Sequence, residues 1–166
     1  MASSMPRAAD APAAPALSLA IQYGQEEARL PRWRLRRWVA QALRAPELAD
    51  VAGVALTLRL VGAAEGRRLN RDFRQRDYAT NVLTFEYGAD PDGVVGGDIV
   101  LCLPVLASEA RAQKKLFLHH AAHLVVHGVL HSLGYDHLND RDARQMEALE
   151  TRILAEMAIP DPYRVS

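Results

Sequence analysis

The stretch LFLHHAAHLVVHGVLHSLGYDH, residues 116–137, holds all six histidines of a 166-residue chain. It predicts a helix over 116–132 that ends near Gly134, a typical residue for a left-handed helix stop. His119, His123, His127 and His131 recur every four residues, so successive rings stack about one turn apart. Neutral imidazole is a common transition-metal ligand, and this spacing lets two rings converge on one ion. A helix rises ~1.5 Å per residue, so histidines eight apart lie ~12 Å apart along the axis, too far to share an ion with ~2.1 Å bonds. Only one adjacent pair can serve. His137, just past the turn at Gly134, is close enough to join His131 and not His123. The expected ligands are therefore His127, His131 and His137. Three protein ligands leave a position for water, as catalytic rather than structural metal sites do. His119, His120 and His123 read instead as satisfied surface or core residues.

Outward from this stretch, the chain reads as one α+β domain. Residues 1–16, rich in Ala and Pro, read as a disordered tail. A signal peptide fits less well, because Pro12 and Pro15 interrupt any apolar core. Leu17, Leu19 and Ile21 alternate as a strand does. Pro31 opens a helix whose Leu35, Trp38, Val39, Ala42 and Leu43 form one apolar stripe. Val54–Val61 alternates as a second strand. A short helix follows over 63–73, then a polar loop and a third strand over Val82–Tyr87. The segment 88–97 reads as a turn-rich loop before a fourth strand at Asp98–Leu103. Pro104 starts a further helix, and 140–157 forms the last, with Met146, Leu149, Ile153 and Met157 on its core stripe. The expected architecture is about four strands in a mixed sheet packed with helices over 17–166.

Twenty basic and twenty acidic residues give a formal net charge of zero, so any nucleic-acid binding needs a local patch. One supplies itself: six arginines lie between Arg29 and Arg44 with no acid among them. Arg32, Arg36 and Arg37 lie off the apolar stripe, as a solvated helix face or as contacts to an anionic partner. Cys102 is the only cysteine, which excludes a disulfide within the chain and favours a reducing compartment. No apolar run is long enough to span a bilayer.

The H-x3-H-x2-G-x2-H spacing is the one metzincin peptidases use for zinc, but they place a glutamate directly after the first histidine as general base. Gly128 occupies that position here. A peptidase reading loses its main catalytic argument.

HGVLHSLGYDH (127–137) resembles the signature of the YbeY endoribonucleases, also called rRNA maturation factors. Leu69-Asn70 with DYATNVLTF (77–85), GDIV (97–100) and MEALE (146–150) resemble further motifs of that family, in family order. The Ala/Pro-rich front end lies outside the resemblance. What it implies is a zincin-like α+β fold, one zinc per chain on His127, His131 and His137, and single-strand-specific endoribonuclease activity. It also implies roles in 16S rRNA 3′-end maturation and ribosome quality control, with ribosomal RNA, the small subunit and its proteins or assembly factors as cytoplasmic partners. Two rivals are a zincin-type metallopeptidase and a non-catalytic assembly factor with structural zinc.

The resemblance further implies a functional arginine on the strand ahead of Leu69-Asn70, which here is Arg59. A guanidinium beside apolar neighbours calls for an anion, and its planar fork fits phosphate oxygens. A salt bridge to Glu65 or Asp98 satisfies it equally. Asp136, next to His137, could orient that ligand or cap the turn.

Overall fold

Alternation along one strand sorts the molecule into two faces. The computed structural model describes residues 14–164, and the central strand is β2 (Gly53–Val61). Val54, Leu56, Leu58 and Leu60 are buried on one side, while Thr57 and Arg59 project to the other. Around it the chain builds β1 (Ala16–Tyr23), α1 (Arg32–Leu43), α2 (Ala63–Arg74), β3 (Val82–Ala89), β4 (Val94–Cys102), α3 (Leu103–Ala112), α4 (Phe117–Ser132) and α5 (Asp140–Glu156). The sheet order is β1-β2-β4-β3, with β3 antiparallel to β4 and the other pairs parallel. This is the mixed four-stranded α+β arrangement that the sequence predicts. The tail expected over 1–16 lies mostly outside the described residues, and its last residue, Ala16, already begins β1.

The larger core packs α1, α4 and α5 on the Leu58 face. Helix α4 is buried almost all round, with eleven of its sixteen residues out of solvent. A smaller cluster on the opposite face joins Val61, Leu83, Val100 and Cys102 to Leu69, Phe85 and Val105. The expected stripes of α1 and α5 are both buried, except that Met157 lies past the end of α5 and is only partly covered.

Residues 88–97 differ from the expected long loop. They belong to a tight hairpin in which β3 runs to Ala89 and β4 starts at Val94. Asp90 closes the turn by accepting the backbone N–H groups of Asp92 (2.8 Å) and Val94 (3.0 Å) through Oδ1. Gly93 supplies the left-handed conformation (φ 81°). A bulge between Glu86 and Gly88 lets strand pairing pass through glycine-rich sequence.

Contact between α4 and β4 is unusually close. A Cβ on Gly128 would stand 2.7 Å from Cγ2 of Ile99, and one on Gly97 would stand 2.7 Å from Oγ of Ser132. These two glycines set the separation of the metal-motif helix from the sheet. Gly128→Ala is expected to lower the melting temperature by several degrees. Overpacking costs ~1–3 kcal/mol, which outweighs the ~1 kcal/mol alanine gains over glycine in a helix. Thermal melting of Gly128→Ala, Ile99→Ala and the double variant checks this, and the double variant should be less destabilised than the sum of the singles.

Candidate metal centre

The end of α4 aims its histidines through a Schellman turn. Gly134 adopts φ 97°, its N–H bonds the carbonyl of His131 (3.0 Å), and the N–H of Tyr135 bonds that of Leu130 (3.0 Å). The chain then doubles back and presents His137 to the helix. Ring centroids of His127 and His131 are 4.5 Å apart, those of His131 and His137 5.2 Å, and those of His127 and His137 6.0 Å. One nitrogen from each lies within 4.8 Å of the others. Nitrogens around a tetrahedral ion with ~2.1 Å bonds stand about 3.4 Å apart, so small side-chain rotations complete the set. The three residues fit a bound metal. Burial, then the neighbouring His127 and His137, lowers the pKa of His131 to about 4, which keeps its imidazole neutral and its lone pair available.

Glu150 was not assigned a role from sequence, yet it holds the first candidate ligand, His127. Reaching in from α5, its fully buried carboxylate takes a hydrogen bond from His127 Nδ1 at 2.6 Å. It also accepts from His123 Nε2 at 2.9 Å and from the Tyr163 hydroxyl. Burial opposes ionisation of Glu150, but these donors outweigh it and bring its pKa to about 2. An ionised carboxylate only accepts, so His127 donates from Nδ1 and keeps Nε2 as an unprotonated donor atom for a metal. The signal was in the sequence: Glu150 lies beside Met146, Leu149 and Ile153 on the buried side of α5, where an acid is rare without a partner.

The histidines form one wall of a cavity of about 630 Å³ between α4 and the β3 edge. Asn70, Arg74, Arg76, Tyr78, Asn81 and Thr84 are among the residues opposite them. Arg74 reaches the carbonyl of Thr84 (2.5 Å) from the C-terminal end of α2, and Asn70 Nδ2 holds the carbonyl of Tyr78 at 2.8 Å. Asn81 caps the start of β3 and donates to Glu109 at 3.1 Å, and Glu109 also pairs with buried His120 at 2.9 Å. His120 and His123 are thus core histidines paired through Nε2 alone, each with a buried Nδ1 that has no partner among the described residues, so the expectation of satisfied rings holds for one nitrogen of each.

The structure does not bring Arg59 to this cavity. It projects from the other face of β2, where Nε and Nη2 meet Glu65 at 2.5 and 2.9 Å and Nη1 reaches Gln22 at 3.2 Å. The Glu65 hydrogen bond raises the pKa of Arg59, and the reciprocal bond lowers that of Glu65. Glu65 sits in the first turn of α2 and Arg74 at its end, about 14 Å along the axis. Asp98, the other acid considered for Arg59, accepts from Tyr87 at 2.6 Å. Asp136 lines the cavity, but its carboxylate takes the backbone N–H of His137 (2.7 Å) and stands 4.0 Å from Nδ1, so its direct contact is with the turn. Arg32 and Arg36 donate to the carbonyls of Ile21 (2.8 Å) and Leu19 (3.4 Å) on β1. They cover the sheet edge opposite β3, about 14 Å away across three strand spacings. Arg37 shares their helix.

Each of His127→Ala, His131→Ala and His137→Ala is expected to abolish stoichiometric binding of a divalent transition metal, while His119→Ala retains it. Elemental analysis of the four proteins checks the ligand set, and full metal content in His137→Ala protein would exclude it.

Residues 20–158 match the family model described as Endoribonuclease YbeY. The curated Endoribonuclease YbeY of Bordetella pertussis is 67% identical over 150 residues, covering 89% of this chain and 96% of the relative. That of Burkholderia pseudomallei is 52% identical over 153 residues, covering 90% and 82%. A solution structure from Thermotoga maritima shares the fold with a TM-score of 0.56 at 24% identity, over 88% of this chain and 99% of that one. With its histidine centre and its matching length, this chain belongs to the YbeY endoribonuclease family.

Proposed function

We propose that the protein is a zinc-dependent endoribonuclease that cuts single-stranded RNA. Its substrate is ribosomal RNA, in 16S rRNA 3′-end maturation and ribosome quality control. The small ribosomal subunit and its proteins or assembly factors are its partners, and the cytoplasm is its location. Among the described residues no helix is long and apolar enough to cross a membrane. The observation that carries the reading is the shared cavity: three imidazoles on one wall beside Asp136, with Arg74, Arg76, one acid (Glu86) and neutral hydrogen-bonding side chains also lining it. Such a lining suits a phosphodiester with its ribose hydroxyls.

When bound, one zinc would supply Lewis-acid stabilisation of charge on the scissile phosphate. His127, His131 and His137 would hold it, with His127 oriented by Glu150. Arg74 and Arg76, which line the cavity, would take the phosphate oxygens, the role the sequence suggested for Arg59. Asn81 and Thr84 can fix the sugar or base beside the scissile bond. A peptidase reading is further weakened by Gly128, because a side chain there would run into Ile99 rather than into the cavity. Arg32, Arg36 and Arg37 form a separate basic face, which we assign to ribosomal RNA outside the cleavage cavity.

Incubating metal-loaded protein with single-stranded RNA, duplex RNA and casein tests the reading, with His131→Ala as control. Cleavage of the single strand alone is expected, and casein hydrolysis without RNA cleavage would overturn it. In the same assay Arg74→Ala should slow cleavage on the order of a hundredfold, the typical effect of removing a charge-stabilising donor. Arg59→Glu should instead lower the melting temperature and leave cleavage per folded molecule nearly unchanged. A folded, zinc-loaded Arg59→Glu protein that fails to cut would return Arg59 to the active site. Arg36→Glu/Arg37→Glu should weaken salt-dependent association with ribosomal particles without changing cleavage of a short RNA. Unchanged sedimentation would identify that face as merely solvated.

A further inference from the structure

Behind the metal centre, the segment that follows α5 reaches into the molecule. After Glu156 the chain turns at Ala158 (φ 59°), and Ile159 N–H bonds the carbonyl of Leu154 at 2.9 Å. The next residues are tied down twice: Asp161 Oδ1 accepts the backbone N–H of Tyr163 at 2.8 Å, and Lys115 Nζ donates to the carbonyl of Pro162 at 2.5 Å. The Tyr163 ring is partly open to solvent, yet its hydroxyl lies inside, on the Glu150 carboxylate. Burial, then that hydrogen bond, raises the Tyr163 pKa, so the hydroxyl stays a donor. His123 completes the group, standing 2.9 Å from Glu150 Oε2 and 3.2 Å from the Tyr163 oxygen. One carboxylate oxygen thus serves Tyr163 and His123 while the other is left to His127.

We infer that Tyr163 and His123 are positioning residues for the metal centre: by saturating one oxygen of Glu150 they fix the other on His127 Nδ1, and so set how tightly His127 offers Nε2 to a metal. This rests on the proposed zinc site. Two features favour a positioning role over simple core packing. His123 Nδ1 is buried with no hydrogen-bond partner among the described residues, a poor arrangement if the side chain served stability alone. Asp161 and Lys115 hold the peptide link between Pro162 and Tyr163, which restrains where the Tyr163 hydroxyl can meet the carboxylate. His123, His127 and Glu150 also bring their donor atoms within 4.8 Å of one another. The His127–Glu150 separation of 2.6 Å is that of a hydrogen bond, shorter than the spacing of two ligands around an ion, so these three support the metal centre rather than form a second one.

The test uses the full chain, zinc and a competing chelator. Tyr163→Phe keeps the ring and removes only the hydroxyl; it should weaken zinc binding about tenfold, the lower end for loss of an outer partner. Glu150→Ala should weaken it further, and Glu150→Gln, which still accepts from His127, should recover part. Nitrogen-15 NMR of the zinc-free protein gives a second readout. His127 should be protonated at Nδ1 in the wild type and shift towards a mixture of tautomers in Tyr163→Phe and Glu150→Ala. A purely structural role predicts lower melting temperatures for the zinc-free variants, with zinc affinity and tautomer unchanged, and that result would overturn the inference. Two zinc ions per wild-type chain would overturn it by making Glu150 a ligand. A wild-type chain that binds no zinc would overturn the zinc reading and this inference together, whereas equal tight binding by wild type and Tyr163→Phe would overturn only the inference.

Discussion

Helix α4 has to be the centre of the core and the carrier of the candidate metal ligands at once, and its contact with β4 is what reconciles the two. Gly128 against the Ile99 side chain, and Gly97 beneath the Ser132 side chain, let the helix lie against the sheet with a side chain from only one partner at each contact. The remaining apolar residues of α4 then pack under α1 and α5. That leaves His127 and His131 half-buried on the side facing the β3 edge. Gly134 finishes the arrangement by ending the helix abruptly enough for His137 to return to it. A larger residue at 128 would push α4 away from the sheet and loosen both functions.

The second constraint is a charge in the core. An isolated carboxylate inside a protein costs several kcal/mol, and the molecule tolerates Glu150 because three donors surround it. One of those donors, His127, is a candidate metal ligand. The electrostatic requirement of the core and the orientation of the site are therefore met by the same hydrogen bond. A parallel arrangement on a smaller scale links His120, Glu109 and Asn81, so the cavity wall at the start of β3 is also held from within.

The arginines considered for an anionic substrate are divided among three places by the geometry of the sheet. Arg59 is turned away from the core by strand alternation and neutralised by the first turn of α2. Arg32 and Arg36 serve the exposed carbonyls of the β1 edge. Arg74 and Arg76 remain beside the histidines, because α2 crosses the sheet from β2 and delivers its C-terminal end to the β3 edge. A chain with no net charge can thus still present positive groups where an anionic substrate would have to enter.

Local patterns were legible without a structure. Four-residue histidine spacing, the glycine stop and His137 depend only on helix geometry, so the clustering of the three candidate ligands could be read directly, and the strands and helix stripes follow from periods of two and 3.6 residues. The hairpin at 88–97 escaped because glycines and an Asx turn look the same in a loop as in a tight reversal. Partnerships between distant residues were decided only by the tertiary structure. Arg59 carried the same chemistry whether it faced phosphate or Glu65, and only the crossing of α2 chose Glu65. Glu150 stands 23 positions from His127, and no local period links them; the packing of α5 on α4 brought that carboxylate to the ligand. Short-range geometry is written in the order of residues, whereas the partner of a buried charge depends on which helices the core brings together.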